Sequence, residues 1–169
     1  MIRLIGLLLI AATGMGAGIY ASLVLRKRVE CLELCGRFVR WMDTRIRYSA
    51  APVGELLLEA EREPEFHTLP FLGQAADEIR RGTIPAKAWE QALAEEKSGW
   101  LTSQDRELLS GFGSGLGKTD VEGQRNHCQY FTDRLEDSLQ SARAEASVKG
   151  RLYVSLGIMG GAGLSLLLI

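Results

Sequence analysis

The residues best suited by type and spacing to chemistry lie between Gly111 and Thr119, where the chain reads Gly-Phe-Gly-Ser-Gly-Leu-Gly-Lys-Thr. A stretch closing in Gly-Lys-Thr matches the end of a phosphate-binding loop. There, backbone amides cradle phosphates, the lysine reaches the outer ones and the hydroxyl holds magnesium. That chemistry needs a glycine five residues before Gly117, and the position is Phe112. It also needs a buried strand ahead of the loop and an apolar strand ending in a magnesium-binding acid. Residues 105–112 carry a helical pattern instead, and no strand of the second kind is visible. A nucleotide-binding switch or ATPase using Lys118 is therefore the alternative reading. The main one is a tight turn between helices, in which glycine supplies positive φ.

A second chemical candidate is a zinc set made from Cys31, Cys35, His127 and Cys128. The spacing fits no zinc knuckle, and adjacent residues such as His127 and Cys128 diverge by about 100° around a helix. These cysteines read as small buried hydrophobes. Three is an odd number, all within the central part of the chain, so free thiols in a reducing compartment are expected. His67 has no carboxylate or nucleophile at a useful spacing. Asp77-Glu78 and Glu95-Glu96 read as solvated helix faces, and Trp41, Trp89 and Trp100 as core or interface anchors. No catalytic constellation, cofactor site or metal site is expected, and the chain does not read as an enzyme.

The elements that would position these residues are all helical. Leu32, Cys35, Val39, Met42 and Ile46 mark one face of an amphipathic helix over about 29–48, which Ala51-Pro52 breaks. A short helix from Val53 to Arg62 follows, ended by Pro64. Leu72, Ala76 and Ile79 form a stripe that stops at Gly82. Pro85 opens a helix burying Trp89, Ala92 and Leu93, with Glu90, Glu95 and Glu96 outward. Thr102 or Ser103 caps the next, which carries Leu108, Leu109 and Phe112. After the glycine-rich turn Asp120 caps a last helix, with Gln124, Cys128, Phe131, Leu135 and Leu139 on one face and Gly150 as a hinge near its end. No segment alternates with period two for long enough to be a strand. The middle is predicted as a bundle of about six helices.

Both ends are apolar. Ile2–Leu25 holds one charge, Arg3, and would reach about 36 Å as a helix, against a bilayer core of about 30 Å. Leu152–Ile169 holds none and would reach about 27 Å. The expected architecture is an N-terminal transmembrane helix (1–25), a helical domain (26–150) and a C-terminal transmembrane helix (151–169). Fourteen of the 20 Lys and Arg but all 21 Asp and Glu fall within residues 29–148, a net charge of −7. Such a middle argues against nucleic acid as a partner. Arg26, Lys27 and Arg28 follow the first run, and Lys149 and Arg151 flank the start of the second. Basic residues stay on the cytoplasmic side, so the middle is expected in the cytoplasm of a double-pass cell-membrane protein; Arg3 opposes this weakly. A cleaved signal peptide is disfavoured by the length of the first run and the basic triplet after it. Gly14, Gly18 and Ser22, and likewise Gly157, Gly161 and Ser165, recur every four residues. Small residues at that spacing let membrane helices pack closely.

The segment Phe112-Gly113-x-x-Leu116-Gly117-x-x-Asp120-x-x-x-Gln124 resembles the signature of stage III sporulation protein AB of endospore-forming Firmicutes. Arg45-Ile46-Arg47-Tyr48, Pro52, Glu55-Leu56 and Trp89-x-x-Ala92-Leu93 match as well, as do the length and the two apolar ends. The resemblance implies a soluble domain similar to the helical cytoplasmic domain of the type II secretion inner-membrane platform protein. It implies a place in the transport complex between mother cell and forespore, needed for sporulation. It also implies partners: a hexameric ATPase of the stage III sporulation protein AA type, the other membrane subunits of the channel and the lipid bilayer, with self-association compatible. Phe112, Gly113, Leu116, Gly117, Asp120 and Gln124 would be the characteristic positions. Asp120 would cap a helix, Gly113 and Gly117 would relax the backbone, and Phe112 and Leu116 would pack beneath.

Overall fold

Proline and glycine set most of the element boundaries. In the computed structural model, which describes the backbone of residues 2–49 and 51–167 and the side chains of 12–14, 16–49, 51–150, 152, 153, 155 and 159, every element is helical. The elements are α1 (Ile2–Ser49), α2 (Val53–Arg62), a 3-10 turn (Pro64–Phe66), α3 (Leu72–Arg80), α4 (Pro85–Glu95), α5 (Ser103–Ser114) and α6 (Val121–Leu167). Pro52 precedes α2 and its carbonyl accepts from the Glu55 and Leu56 amides at 2.9 and 3.2 Å. Pro85 is the first residue of α4. Gly82 (φ 91°) and Gly99 (φ 71°) turn the chain after α3 and α4 in a region that costs other residues about 1–2 kcal/mol. Thr102 caps α5 through a capping box with Asp105.

Two boundaries differ from the sequence reading. The amphipathic helix expected over 29–48 is the second half of one continuous helix, α1, because Arg26, Lys27 and Arg28 are good helix formers with no cap or breaker beside them. Gly150 is no hinge: α6 passes through it unbroken. A Cβ added there would lie 3.3 Å from Ser22 Oγ, so this glycine is a point of close helix approach.

The chain divides into two compact units. One is Glu30–Leu139; the other is drawn from the two ends, up to Val29 and from Gln140 onward. The core of the first is aromatic. Trp89, Phe38, Phe66, Phe71 and Phe112 are all essentially buried. Trp89 sits at the centre, stacked on Phe38 (5.7 Å, 17°) and edge-on to Phe71 (4.9 Å) and Phe112 (5.4 Å). Its indole N–H, which cannot be buried without an acceptor, donates to the Leu109 carbonyl at 2.8 Å. Leu32, Met42, Leu56, Leu57, Leu72 and Leu109 fill the rest.

In the second unit α1 and α6 lie side by side. Arg28 Nη1 and Glu145 Oε2 are 2.6 Å apart, and Lys149 Nζ is 2.6 Å from Glu145 Oε1. Among the described residues no helix is long and apolar enough to cross a membrane. Most side chains of the two apolar runs, including those of Arg151, Gly157, Gly161 and Ser165, lie outside the described residues. Of the first small-residue stripe, Gly18 is buried and Gly14 and Ser22 are half-buried.

Candidate functional site

The six characteristic positions sit together at the junction of α5 and α6. The last turn of α5 carries Phe112, whose ring stacks on His127 (5.5 Å, 20°) and meets Phe131 edge-on at 5.7 Å. His127 Nε2 donates to the Phe112 carbonyl at 2.8 Å, so this histidine is held as a structural donor. Leu116 is buried below the turn.

The two glycines of the motif have different roles. Gly117 has φ 72°, the left-handed conformation that glycine adopts freely. Gly113 is helical and within α5, contrary to the expectation that it relaxes the backbone. A Cβ on it would lie 1.9 Å from Trp89 Cδ1, so its missing side chain makes room for the central indole. Gly115 does the same for His127, whose Cε1 would be 2.2 Å from a Cβ.

Asp120 caps α6: its Oδ1 accepts from the Gly123 amide at 2.9 Å, and its carbonyl accepts from the Gln124 amide at 2.9 Å. Gln124 is buried and ties the turn from within. Its Nε2 donates to the Gly115 carbonyl and to Thr119 Oγ1, both at 2.8 Å, and its Oε1 accepts from the Gly117 amide at 3.2 Å. Sequence reasoning placed Gln124 in the motif without this task. A glutamine on the apolar face of α6, four residues after the cap, was the available signal.

These bonds decide the chemistry of the glycine-rich stretch. A phosphate loop needs free amides pointing into one cradle. Here the Gly115, Leu116 and Lys118 amides donate to the Phe112, Gly113 and Gly115 carbonyls, and the Gly117 amide to Gln124. Thr119 Oγ1 is engaged as well, and Lys118 is exposed. The stretch is a helix-to-helix connection in which these four backbone amides are already used.

The turn lines one side of an open groove of about 440 Å³, whose other walls include Ile46, Pro52, Val53 and Pro85. Val121, also in its lining, is 48% exposed. The groove gathers no nucleophile, base or metal-ligating set. Among the described residues no group of three or more His, Cys, Asp and Glu could hold a metal ion.

The cysteines are buried free thiols. Cys35 is pushed well above the ordinary thiol range by its hydrogen bond with Cys31 and by burial. Cys128 is pushed up to about 12 by burial and the nearby Asp43 carboxylate. Neither has the character of a reactive thiolate. His67 is exposed.

Two acids are buried, and for one of them, Glu96, this overturns the outward-facing position read from the sequence. Glu96 is buried and accepts from Arg106 Nη2 at 2.5 Å and from the Ser98 amide. The chain leaves α4 at Glu95 and folds Glu96 inward, where Arg106 compensates it. Asp105 is fully buried, closing the capping box and accepting from Ser138 Oγ at 2.9 Å on α6.

The fold and this site define an all-helical scaffold whose signature residues organise a turn and a core. The chain belongs to the stage III sporulation protein AB family, whose pattern matches residues 3–169, and its role is in sporulation. No curated protein and no solved structure matches it.

Proposed function

We propose that the protein is a non-enzymatic membrane platform subunit of the transport complex between mother cell and forespore. In this reading it couples a cytoplasmic ATPase to a membrane channel. Its apolar ends span the cell membrane, and the unit Glu30–Leu139 stands in the mother-cell cytoplasm. The observation that carries the reading is the division of charge. Glu30–Leu139 holds 13 Lys and Arg against 20 Asp and Glu, whereas the unit drawn from the chain ends holds seven against one. Basic residues beside apolar spans keep the adjoining segment on the cytoplasmic side. The acidic unit then faces its partners and selects a basic surface on the ATPase. The spent amides of the glycine-rich turn support a scaffold over a nucleotide switch.

The test is a pull-down of the full-length protein from membranes of sporulating cells, read by mass spectrometry at low and at high salt. The expected result is recovery of a hexameric ATPase and channel subunits, with the ATPase lost as salt is raised. Recovery of neither, or ATPase binding unaffected by salt, would contradict the reading.

A further inference from the structure

The groove of about 440 Å³ beside the glycine-rich turn is lined by Gly117, Asp120 and Gln124, three of the six characteristic positions, together with Pro52, Pro85 and Val121 among others. Its apolar surface is open. Val121 is 48% exposed, and Ile84, bonded to Pro85, is 66% exposed. They are two of the four large apolar side chains that the unit Glu30–Leu139 exposes among the described residues. Gly54 and Gly117 keep the groove wide, since a Cβ on them would stand 3.5 and 3.9 Å from Pro85 Cγ.

Two helices give up local stability at this groove. Pro52 stands at the N-cap of α2 and Ile84 at that of α4, and neither makes a side-chain cap. Ser, Thr, Asp or Asn would satisfy a first-turn amide there. Positions that break a local rule with no local return are expected at functional surfaces. Exposed apolar side chains gathered around one groove mark a contact with a partner.

The charges define the chemistry of that partner. Among the described residues Asp120 is the only charged one in the lining. It is exposed and spends Oδ1 on the Gly123 amide, which leaves Oδ2 to an occupant. Of the charges that neighbour the lining in sequence, Arg45 is held by Glu59 and Glu63, and Arg125 by Asp43. The others are exposed: Glu55 and Glu122, against Arg47, Lys87 and Lys118. With Asp120 they come to three acids and three cations, so the rim has no net sign and the carboxylate inside the groove decides.

We propose that this groove docks a short apolar segment of a partner that carries a lysine or arginine beside its apolar side chain. The apolar group lies against Pro52, Pro85 and Val121, and the cation meets Asp120 Oδ2. The inference rests on the platform reading and places the basic surface of the ATPase at this groove.

The test repeats the pull-down of full-length protein from membranes of sporulating cells with three variants, the recovered ATPase being quantified. Ile84→Ser with Val121→Ser removes apolar surface and gives α4 a capping residue. It should lower ATPase recovery by about tenfold, the size of one apolar side chain lost from a contact, while the midpoint of chemical denaturation in detergent does not fall. Loss of docking without loss of stability separates the groove from damage to the fold. Asp120→Asn keeps a cap for α6 and removes the charge, so recovery should fall a few-fold. Asp137→Asn, exposed on the same helix and outside the lining, should leave recovery unchanged. Unchanged recovery in the first two variants, or an equal fall with Asp137→Asn and Asp120→Asn, would overturn the groove as the docking site while the platform reading stands. Loss of a co-recovered untagged copy of the chain, rather than of ATPase, in the Ile84 and Val121 variant would assign the groove to a second copy and overturn it as well. Failure of the unaltered protein to recover any ATPase would overturn the platform reading itself, and this inference with it.

Discussion

Gln124 gives Gly117 the acceptor that the end of a helix takes away. The Gly117 amide lies beyond α5 in a left-handed residue, and the Gln124 carboxamide oxygen, 3.2 Å away, receives it, while the Gln124 nitrogen holds the Gly115 carbonyl from the other side. Gln124→Leu keeps the volume and removes three part-buried hydrogen bonds, taking from the Gly117 amide its acceptor. A loss of about 1–3 kcal/mol of stability is expected, measured by chemical denaturation of the full-length protein in detergent. An unchanged midpoint would show that the turn holds without its staple.

Gly113 and Trp89 make a second such pair. The Gly113→Ala methyl would enter space held by the indole, so Trp89 must move and break its bond to the Leu109 carbonyl. The expected cost is about 1–3 kcal/mol, accompanied by a shift in tryptophan fluorescence. Gly111→Ala, where a Cβ would lie 3.2 Å from the Phe131 ring edge, should cost less. Equal costs at the two positions would be inconsistent with this packing.

Lys118→Ala should leave both folding and sporulation unchanged. The lysine is exposed and the amides around it are used within the turn. Sporulation efficiency and circular dichroism of the variant are the measurements. Loss of sporulation with an intact fold would restore the nucleotide-switch reading.

The thiols offer a test of burial. Cys31, Cys35 and Cys128 are all buried, and Cys128 is pushed up to about 12. At pH 8 the native protein should not react with a thiol reagent over minutes, and denaturant should release all three groups at once. Fast labelling of Cys128 in the native state would show that the face of α6 that carries it is not packed.

How much of this was legible in the sequence follows from which signals are local. The boundaries at Pro52, Pro85, Gly82 and Asp120 are set by residues that act on their own backbone, and they were readable directly. The same is true of the apolar faces containing Trp89, Phe112 and Leu135. Interactions that need a partner far along the chain were not readable. Glu96 is an ordinary helix-surface residue until Arg106 is known to face it, and Asp105 until Ser138 is brought from 33 residues away. Gly113 and Gly150 look like flexible points in a sequence because glycine's commonest local role is conformational. Here both act by lacking a side chain, against Trp89 and Ser22. The length of α1 was missed for the opposite reason: an apolar run and an amphipathic run differ in pattern, yet no residue between them stops the helix.

The most direct test of the double-anchored platform is the location of its acidic unit. Protease should be added to intact protoplasts of sporulating cells and, separately, to lysed ones, with the chain followed by antibodies to residues 30–139 and the membrane and soluble fractions compared. The expected result is a membrane-bound protein whose central unit survives outside protease and is digested once the membrane is opened. Digestion in intact protoplasts, or recovery of the full-length chain in the soluble fraction, would contradict it.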